Sequence, residues 1–155
     1  MNNKIKLIIS ILIPVLIWAI SWFATSNSIN DWYILLEKPI FNPPNWIFWP
    51  VWTTLYIMIG ISFYLVWKKW FWKYKNKTKI IYTIQLILNF LWSFSFFYFE
   101  NIWLWLINII LLWIVIIINI YYFYIIDKKA WIILIPYLLW VSFASILNIS
   151  LYLLN

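Results

Sequence analysis

Five long runs of uncharged, mostly apolar residues make up most of the chain, because lysine, aspartate and glutamate occur only between them. The runs cover residues 7–30, 39–67, 80–99, 101–126 and 130–155. A helix of about 20 residues crosses a hydrocarbon core of roughly 30 Å, and each run reaches that length. Because backbone polar groups in lipid must be satisfied within the segment, the runs are expected to be helical. The pattern predicts an all-α integral membrane protein, a bundle of five transmembrane helices.

The predicted helices cover residues 5–26, 45–67, 79–98, 102–126 and 130–153, within one membrane domain that spans 1–155. The longest predicted loop covers residues 27–44 and contains Pro39, Pro43 and Pro44. Proline fixes its own φ and biases the residue before it toward extended backbone, so this loop is expected to be stiff. Two interpretations stay open: a well-packed connection between helices, or a lid over a cavity.

The basic residues indicate how the bundle is oriented. All 11 are lysines, and Lys38 alone lies in the loop after the first helix. Lys4 and Lys6 lie at the start of the first helix, and the other eight lie in or next to the second and fourth loops, at residues 68–79 and 128–129. Since lysine-rich loops are retained in the cytoplasm, the N-terminus is predicted to be cytoplasmic and the C-terminus external.

The first helix has an alternative interpretation as a signal peptide. Lys4 and Lys6 precede an apolar run, and Ala24-Thr25-Ser26 resembles a loose cleavage site. Cleavage would leave four helices in the same orientation. The run is long for a signal peptide and contains Trp18 and Trp22, which favours a retained helix.

The composition excludes several functional classes. With 67% hydrophobic and 10% charged residues, the chain cannot be a soluble or a disordered domain. Cysteine and histidine are absent, so thiol and imidazole chemistry is excluded and neither a metal site nor a cofactor is predicted. The formal charge of +7 comes from lysines between apolar runs, which indicates topology and not nucleic-acid binding. No charged residue lies in the interior of a span, which argues against ion-coupled transport.

Three of the predicted helices each carry a stripe of aromatic, small and amide residues on one face. The stripes consist of Trp49, Trp52, Tyr56 and Gly60 in the second helix, Gln85, Asn89, Trp92 and Phe96 in the third, and Pro136, Trp140, Ala144 and Asn148 in the fifth. Steps of three and four residues place side chains on one helical face. Such stripes either hold the bundle together through amide hydrogen bonds or line a pocket for a flat, apolar ligand.

The same residues carry the resemblance to a known family. In chain order the shared motifs are Trp32-Tyr33, Lys38-Pro39, Pro43-Pro44-x-Trp46, Pro50-Val51-Trp52, Gln85-Leu86-x-Leu88-Asn89-x-x-Trp92, Pro136-Tyr137-Leu138-x-Trp140, Phe143-Ala144 and Leu147-Asn148. Together they strongly resemble the translocator protein family, also called the tryptophan-rich sensory protein or peripheral benzodiazepine receptor family. The likeness runs from the first long loop to the C-terminus.

This resemblance implies a five-helix receptor, often a homodimer, whose cavity is closed by the first external loop. Family members bind porphyrins such as protoporphyrin IX and benzodiazepine-type ligands. In bacterial members, light-dependent oxidative breakdown of porphyrin has been attributed to pocket tryptophans, and Trp52 and Trp140 match those positions. Tyr33, Asn89 and Ala144 match other positions that line the family's cavity.

Two further candidate ligand-binding residues come from the residues themselves. Trp92 lies near the middle of a span, where an indole N–H needs a partner, so it is expected to face other helices or a ligand. Lys38 is the one basic residue at the outer end, where it could bind porphyrin propionates together with the Tyr33 hydroxyl. The alternatives for Lys38 are an ion pair with Asp31 or Glu37, or simple solvation.

Other functions stay open at this point. The bundle could be a facilitative transporter of porphyrin or lipid. It could also be a signalling scaffold that binds a partner through the lysine-rich loop, residues 68–79. Sterol recognition is not expected, because Tyr152 is followed by no lysine or arginine. A composition rich in lysine, isoleucine and asparagine, without arginine, suggests an AT-rich bacterial genome and therefore the plasma membrane.

Overall fold

The computed structural model describes residues 2–69, 74–97, 99 and 101–155, without the side chains of residues 25–32, 96 and 97. These residues form helices and loops only, which confirms the all-α prediction. The helices are α1 (Asn3–Leu35), α2 (Asn45–Lys68), α3 (Lys75–Phe97), α4 (Ile102–Ile126) and α5 (Lys128–Leu154).

Four of the described helices are long and apolar enough to cross a membrane: Asn3–Ala24 within α1, and all of α2, α4 and α5. The third helix is less apolar, because Gln85 and Asn89 lie in its middle and three lysines lie in its first turns. The protein is therefore a helical membrane protein, and a fifth span through α3 stays a prediction.

The helices form a closed ring. Each one packs against the next in the order α1, α2, α5, α4, α3 and back to α1. A buried hydrogen bond joins α2 to α5, from Ser62 Oγ to the Ala130 carbonyl at 2.7 Å. One end of the ring, where α2 ends at Lys68 and α3 begins at Lys75, is called here the lysine-rich end. From the middle of the ring toward this end, the interior is filled by fully buried side chains, among them Ile59, Ile116, Phe123 and Leu134.

The first helix is longer than the pattern of apolar residues predicts. It continues to Leu35, past the predicted end near residue 26, so the non-helical part of the predicted 27–44 loop is shorter. Residues 25–31 are mostly polar but include no proline or glycine, so nothing in them interrupts a helix. The helix ends where the backbone becomes extended at Leu36.

The start of α5 is fixed by Asp127. Its carboxylate accepts hydrogen bonds from the backbone N–H groups of Lys129 and Ala130, at 2.7 and 3.2 Å, and caps the helix. It also pairs with Lys69 Nζ at 2.9 Å, which ties the end of α2 to the α4–α5 connection. Burial raises the pKa of Asp127, but the Lys69 ammonium and the two backbone donors outweigh it, so the pKa lies below its ordinary value.

Gly60, the single glycine of the chain, allows α1 and α2 to touch. A Cβ atom at this position would lie 2.6 Å from the Ile11 Cα and 2.6 Å from the Ser10 carbonyl oxygen. Both are backbone atoms of α1, which cannot rotate away as a side chain can. The two helices therefore pack backbone to backbone at this point.

We expect Gly60→Ala to lower the thermal unfolding midpoint in detergent. The added methyl group must push α1 away from α2, and overpacking of this kind costs about 1–3 kcal/mol. The matched control is Ile57→Ala on the exposed face of the same helix, which should shift the midpoint much less. Equal midpoints for wild type and Gly60→Ala would contradict this close packing.

Candidate ligand-binding cavity

A cavity of about 410 Å³ lies inside the ring at the end where α1 ends and α2 begins. All five helices line it, and each contributes at least one tryptophan. The tryptophans are Trp18, Trp22, Trp46, Trp49, Trp52, Trp92, Trp105 and Trp140. Its volume falls in the range of about 300–1,000 Å³ that is usual for small-molecule sites.

Aromatic contacts hold the lining rings in place. The ring centroids of Trp52 and Trp92 lie 5.6 Å apart, and those of Trp52 and Tyr56 lie 6.0 Å apart. In α5, Trp140 packs edge-on against Phe48 of α2, with the ring centroids 6.2 Å apart. These separations are typical of favourable aromatic pairs, so the rings support one another around the space.

Amide side chains fix the inner end of the cavity. The Asn89 Nδ2 donates to the Gln85 carbonyl at 2.8 Å and to the Tyr137 hydroxyl at 2.7 Å, which links α3 to α5. Behind it, Asn119 Nδ2 donates to Gln85 Oε1 at 2.6 Å, which links α3 to α4. Asn89 therefore holds helices together and lines the cavity, so the two interpretations of the stripes apply to the same residue.

One polar group in the lining has no partner among the described residues. The indole N–H of Trp140 is buried and makes no hydrogen bond there. A buried donor without an acceptor costs about 1–3 kcal/mol. An acceptor atom on a bound molecule would remove this cost.

Hydrogen bonds and an aromatic contact hold the segment 36–44 against the C-terminal ends of α1 and α5, beside the cavity. The Tyr33 hydroxyl donates to Asn42 Oδ1 at 2.9 Å, and Phe41 packs against Phe143 of α5. The Asn155 side chain accepts from the Glu37 N–H at 2.9 Å and donates to the Glu37 carbonyl at 3.1 Å. The segment is therefore bound to both α1 and α5.

Burial raises the pKa of the Tyr33 phenol, although its hydrogen bond to Asn42 acts in the opposite direction. The phenol therefore stays protonated at neutral pH and can act as a hydrogen-bond donor.

Six of the seven predicted ligand-binding residues line the cavity: Tyr33, Trp52, Asn89, Trp92, Trp140 and Ala144. Lys38 does not. Its ammonium lies 4.5 Å from the centroid of the Tyr33 ring, which itself lines the cavity. Of the alternatives for Lys38, pairing with Asp31 lies outside the described side chains.

Sequence reasoning missed several lining residues, above all Trp105. This residue is 1% exposed and comes from α4, where apolar residues occur on every side and no stripe distinguishes one face. Trp18 and Trp22 of α1 also line the cavity, and the Trp18 ring lies 5.7 Å from that of Trp49 in α2. The position of Trp18 near the middle of a span indicates that its ring faces other helices or a ligand. That position does not indicate which neighbouring helix the ring contacts.

Comparison with known proteins finds a family match and several relatives of similar sequence. Residues 10–153 match the model of the TspO/MBR family. The tryptophan-rich protein TspO of Archaeoglobus fulgidus is 46% identical over 153 residues, 99% of each chain. The human translocator protein is 34% identical over 120 residues, 76% of this chain and 70% of the human protein. The tryptophan-rich sensory protein of Cereibacter sphaeroides is 29% identical over 126 residues, 81% and 78% of the two chains.

These relatives confirm the resemblance found in the sequence motifs. A prokaryotic relative at 44% identity, from Chlorobaculum tepidum, joins the archaeal one and supports the predicted location in the plasma membrane. The family match covers all five helices, and four of them are apolar enough to span a membrane. The chain is an integral membrane protein and belongs to the TspO/MBR family.

Proposed function

We propose that the protein is a membrane receptor that binds planar tetrapyrroles of the protoporphyrin type, and benzodiazepine-type ligands, in the tryptophan-lined cavity. The observation that carries this proposal is the closure of indoles from all five helices around one space. Flat aromatic rings stack favourably on indole faces, and a metal-free macrocycle needs no axial ligand. The proposal also draws on the family resemblance, which supplies the class of ligand.

The cavity favours a receptor over a transporter. Below it, Ile59, Ile116 and Val141 are fully buried, so the interior is closed toward the lysine-rich end. Facilitated transport of porphyrin or lipid would require this packed core to open. A homodimer stays a prediction of the resemblance.

The orientation follows from the ring. We propose that α3 is the fifth span, because it packs between α1 and α4 and has 23 residues, close to the 24 of α2. With the lysine-rich end in the cytoplasm, the cavity and the segment 36–44 lie on the outer side. This segment then acts as a lid.

The topology can be tested on a chain that contains no natural cysteine. In intact spheroplasts, a membrane-impermeant maleimide should label Ile40→Cys but not Asn76→Cys or Lys128→Cys, three exposed positions. Permeabilised cells, in which all three should react, are the control. Labelling of Lys128→Cys in intact cells would mean that α3 does not cross the membrane.

Binding can be tested through quenching of tryptophan fluorescence by protoporphyrin IX in detergent. Trp52→Phe and Trp140→Phe should each weaken the affinity by about threefold to tenfold, because an aromatic contact contributes about 0.5–1.5 kcal/mol. Trp103→Phe is the matched control, since Trp103 is 60% exposed and lies outside the cavity. Unchanged affinity in both cavity variants would contradict the proposed site.

We further propose that the receptor promotes light-dependent oxidation of bound porphyrin. The porphyrin absorbs the light, and dioxygen is the oxidant that takes up its electrons. The electron-rich indoles of Trp52 and Trp140 donate an electron to the excited porphyrin or form a transient adduct with it. The protein contributes confinement and orientation. No residue arrangement of a conventional catalytic site is required for this chemistry.

Illumination in air should bleach the porphyrin absorption bands faster with wild type than with the Trp52→Phe/Trp140→Phe double variant. The comparison is made at equal bound porphyrin, so that affinity does not affect the rate, and argon replaces air in the control. Equal rates at equal occupancy would mean that the protein binds porphyrin without assisting its breakdown.

A further inference from the structure

A second cavity, of about 860 Å³, lies at the lysine-rich end of the ring. It is bounded by α1, α2 and α3 and shares no residue with the first cavity. Its lining includes four lysines, Lys6, Lys68, Lys75 and Lys79. We call this cavity the lysine groove.

The lysine groove is basic at one end and apolar along the rest of its length. Its four lysines lie at the ends of their helices, whereas apolar side chains such as Ile13, Ile17 and Phe90 lie deeper. From Lys6 to Ile17 the helix rises about 16 Å at 1.5 Å per residue. This depth is about half of a hydrocarbon core of roughly 30 Å, which is the depth of one leaflet.

Few acidic residues are available to compensate the positive charge at this end. The chain has 4 acidic residues, and of the two whose side chains the structure describes, Glu37 and Asp127, only Asp127 lies at the lysine-rich end. Asp127 pairs with Lys69, which is not part of the groove. Within the groove, Lys6 lies over the Trp67 ring and Lys68 over the Tyr64 ring, so aromatic faces contact these two ammonium groups.

Two buried hydroxyl groups lie next to the lysines. Ser10 is 2% exposed and Tyr82 is 6% exposed, and neither hydroxyl has a hydrogen-bond partner among the described residues. Ser10 follows Lys6 by one helical turn, and Tyr82 follows Lys79 by about one turn. Each hydroxyl is therefore about 5 Å deeper than a lysine of its own helix. Both hydroxyl oxygens are themselves shielded from the groove, so an occupant is held by the lysines and the apolar side chains.

We propose that the lysine groove binds an anionic phospholipid of the cytoplasmic leaflet. The phosphate contacts the lysines, and an acyl chain lies along the apolar part. The order of charged and apolar side chains along the groove matches the order of groups in such a lipid. The proposal uses the predicted orientation but not the porphyrin site.

Other occupants match the groove less well. A second copy of the chain placed symmetrically on this face would bring two lysine clusters together, which is repulsive. Free phosphate would account for the lysines but not for the apolar length. A zwitterionic lipid would fill the apolar part, but its headgroup has no net negative charge to complement the lysines.

The proposal can be tested by native mass spectrometry of the full chain in detergent with added dioleoyl phosphatidylglycerol. Dioleoyl phosphatidylcholine is the zwitterionic comparison. We expect wild type to retain phosphatidylglycerol preferentially, and Lys75→Gln/Lys79→Gln to weaken its binding by about tenfold, since each lysine near the lipid surface contributes to the attraction. The matched control is Lys128→Gln/Lys129→Gln, which removes the same charge at the same end but outside the groove.

Equal retention of the two lipids would overturn the proposal, as would equal losses in the two lysine variants. Competition by glycerol phosphate as effective as competition by the lipid would also overturn it, because the site would then be one for phosphate alone.

Discussion

The bulk of the tryptophan side chains at one end of the helix ring limits how closely the helices can pack there. At Gly60 the backbones of α1 and α2 touch. Two to three turns further on, the rings of Trp18 and Trp49 lie between the same two helices, 5.7 Å apart. Because an indole cannot fit where a glycine does, the helices must separate toward this end. The cavity is the space that results from this difference in side-chain size.

The two ends of the ring therefore present different chemistry to the membrane and its surroundings. The tryptophan cavity is lined by rings and by Asn89, whose hydrogen bond to Tyr137 fixes α3 to α5. The lysine groove combines ammonium groups with an apolar surface. Between them the interior is packed, with Ile59 and Ile116 fully buried. In the part of the chain that the structure describes, packed side chains therefore separate the two proposed sites.

Much of this structure could be predicted from the sequence, because a lipid environment restricts the chain to apolar helices. Spacing of three and four residues placed Trp52, Asn89 and Trp140 on inward faces, and all three line the cavity. The order of helices in the ring was not predictable from spacing, since a stripe does not specify its neighbour. For that reason the contribution of Trp105 from a uniformly apolar α4 was missed. The extension of α1 was missed because polarity ends a membrane span but does not end a helix.

Binding inside the helix ring can be tested with an experimental structure of the protein with protoporphyrin IX bound in a lipid environment. We expect density for one macrocycle inside the ring, in contact with the Trp52 and Trp140 rings, and no porphyrin density between those rings and the lipid. Density for the porphyrin on the outer surface, or indoles turned toward the acyl chains around a collapsed interior, would contradict this expectation.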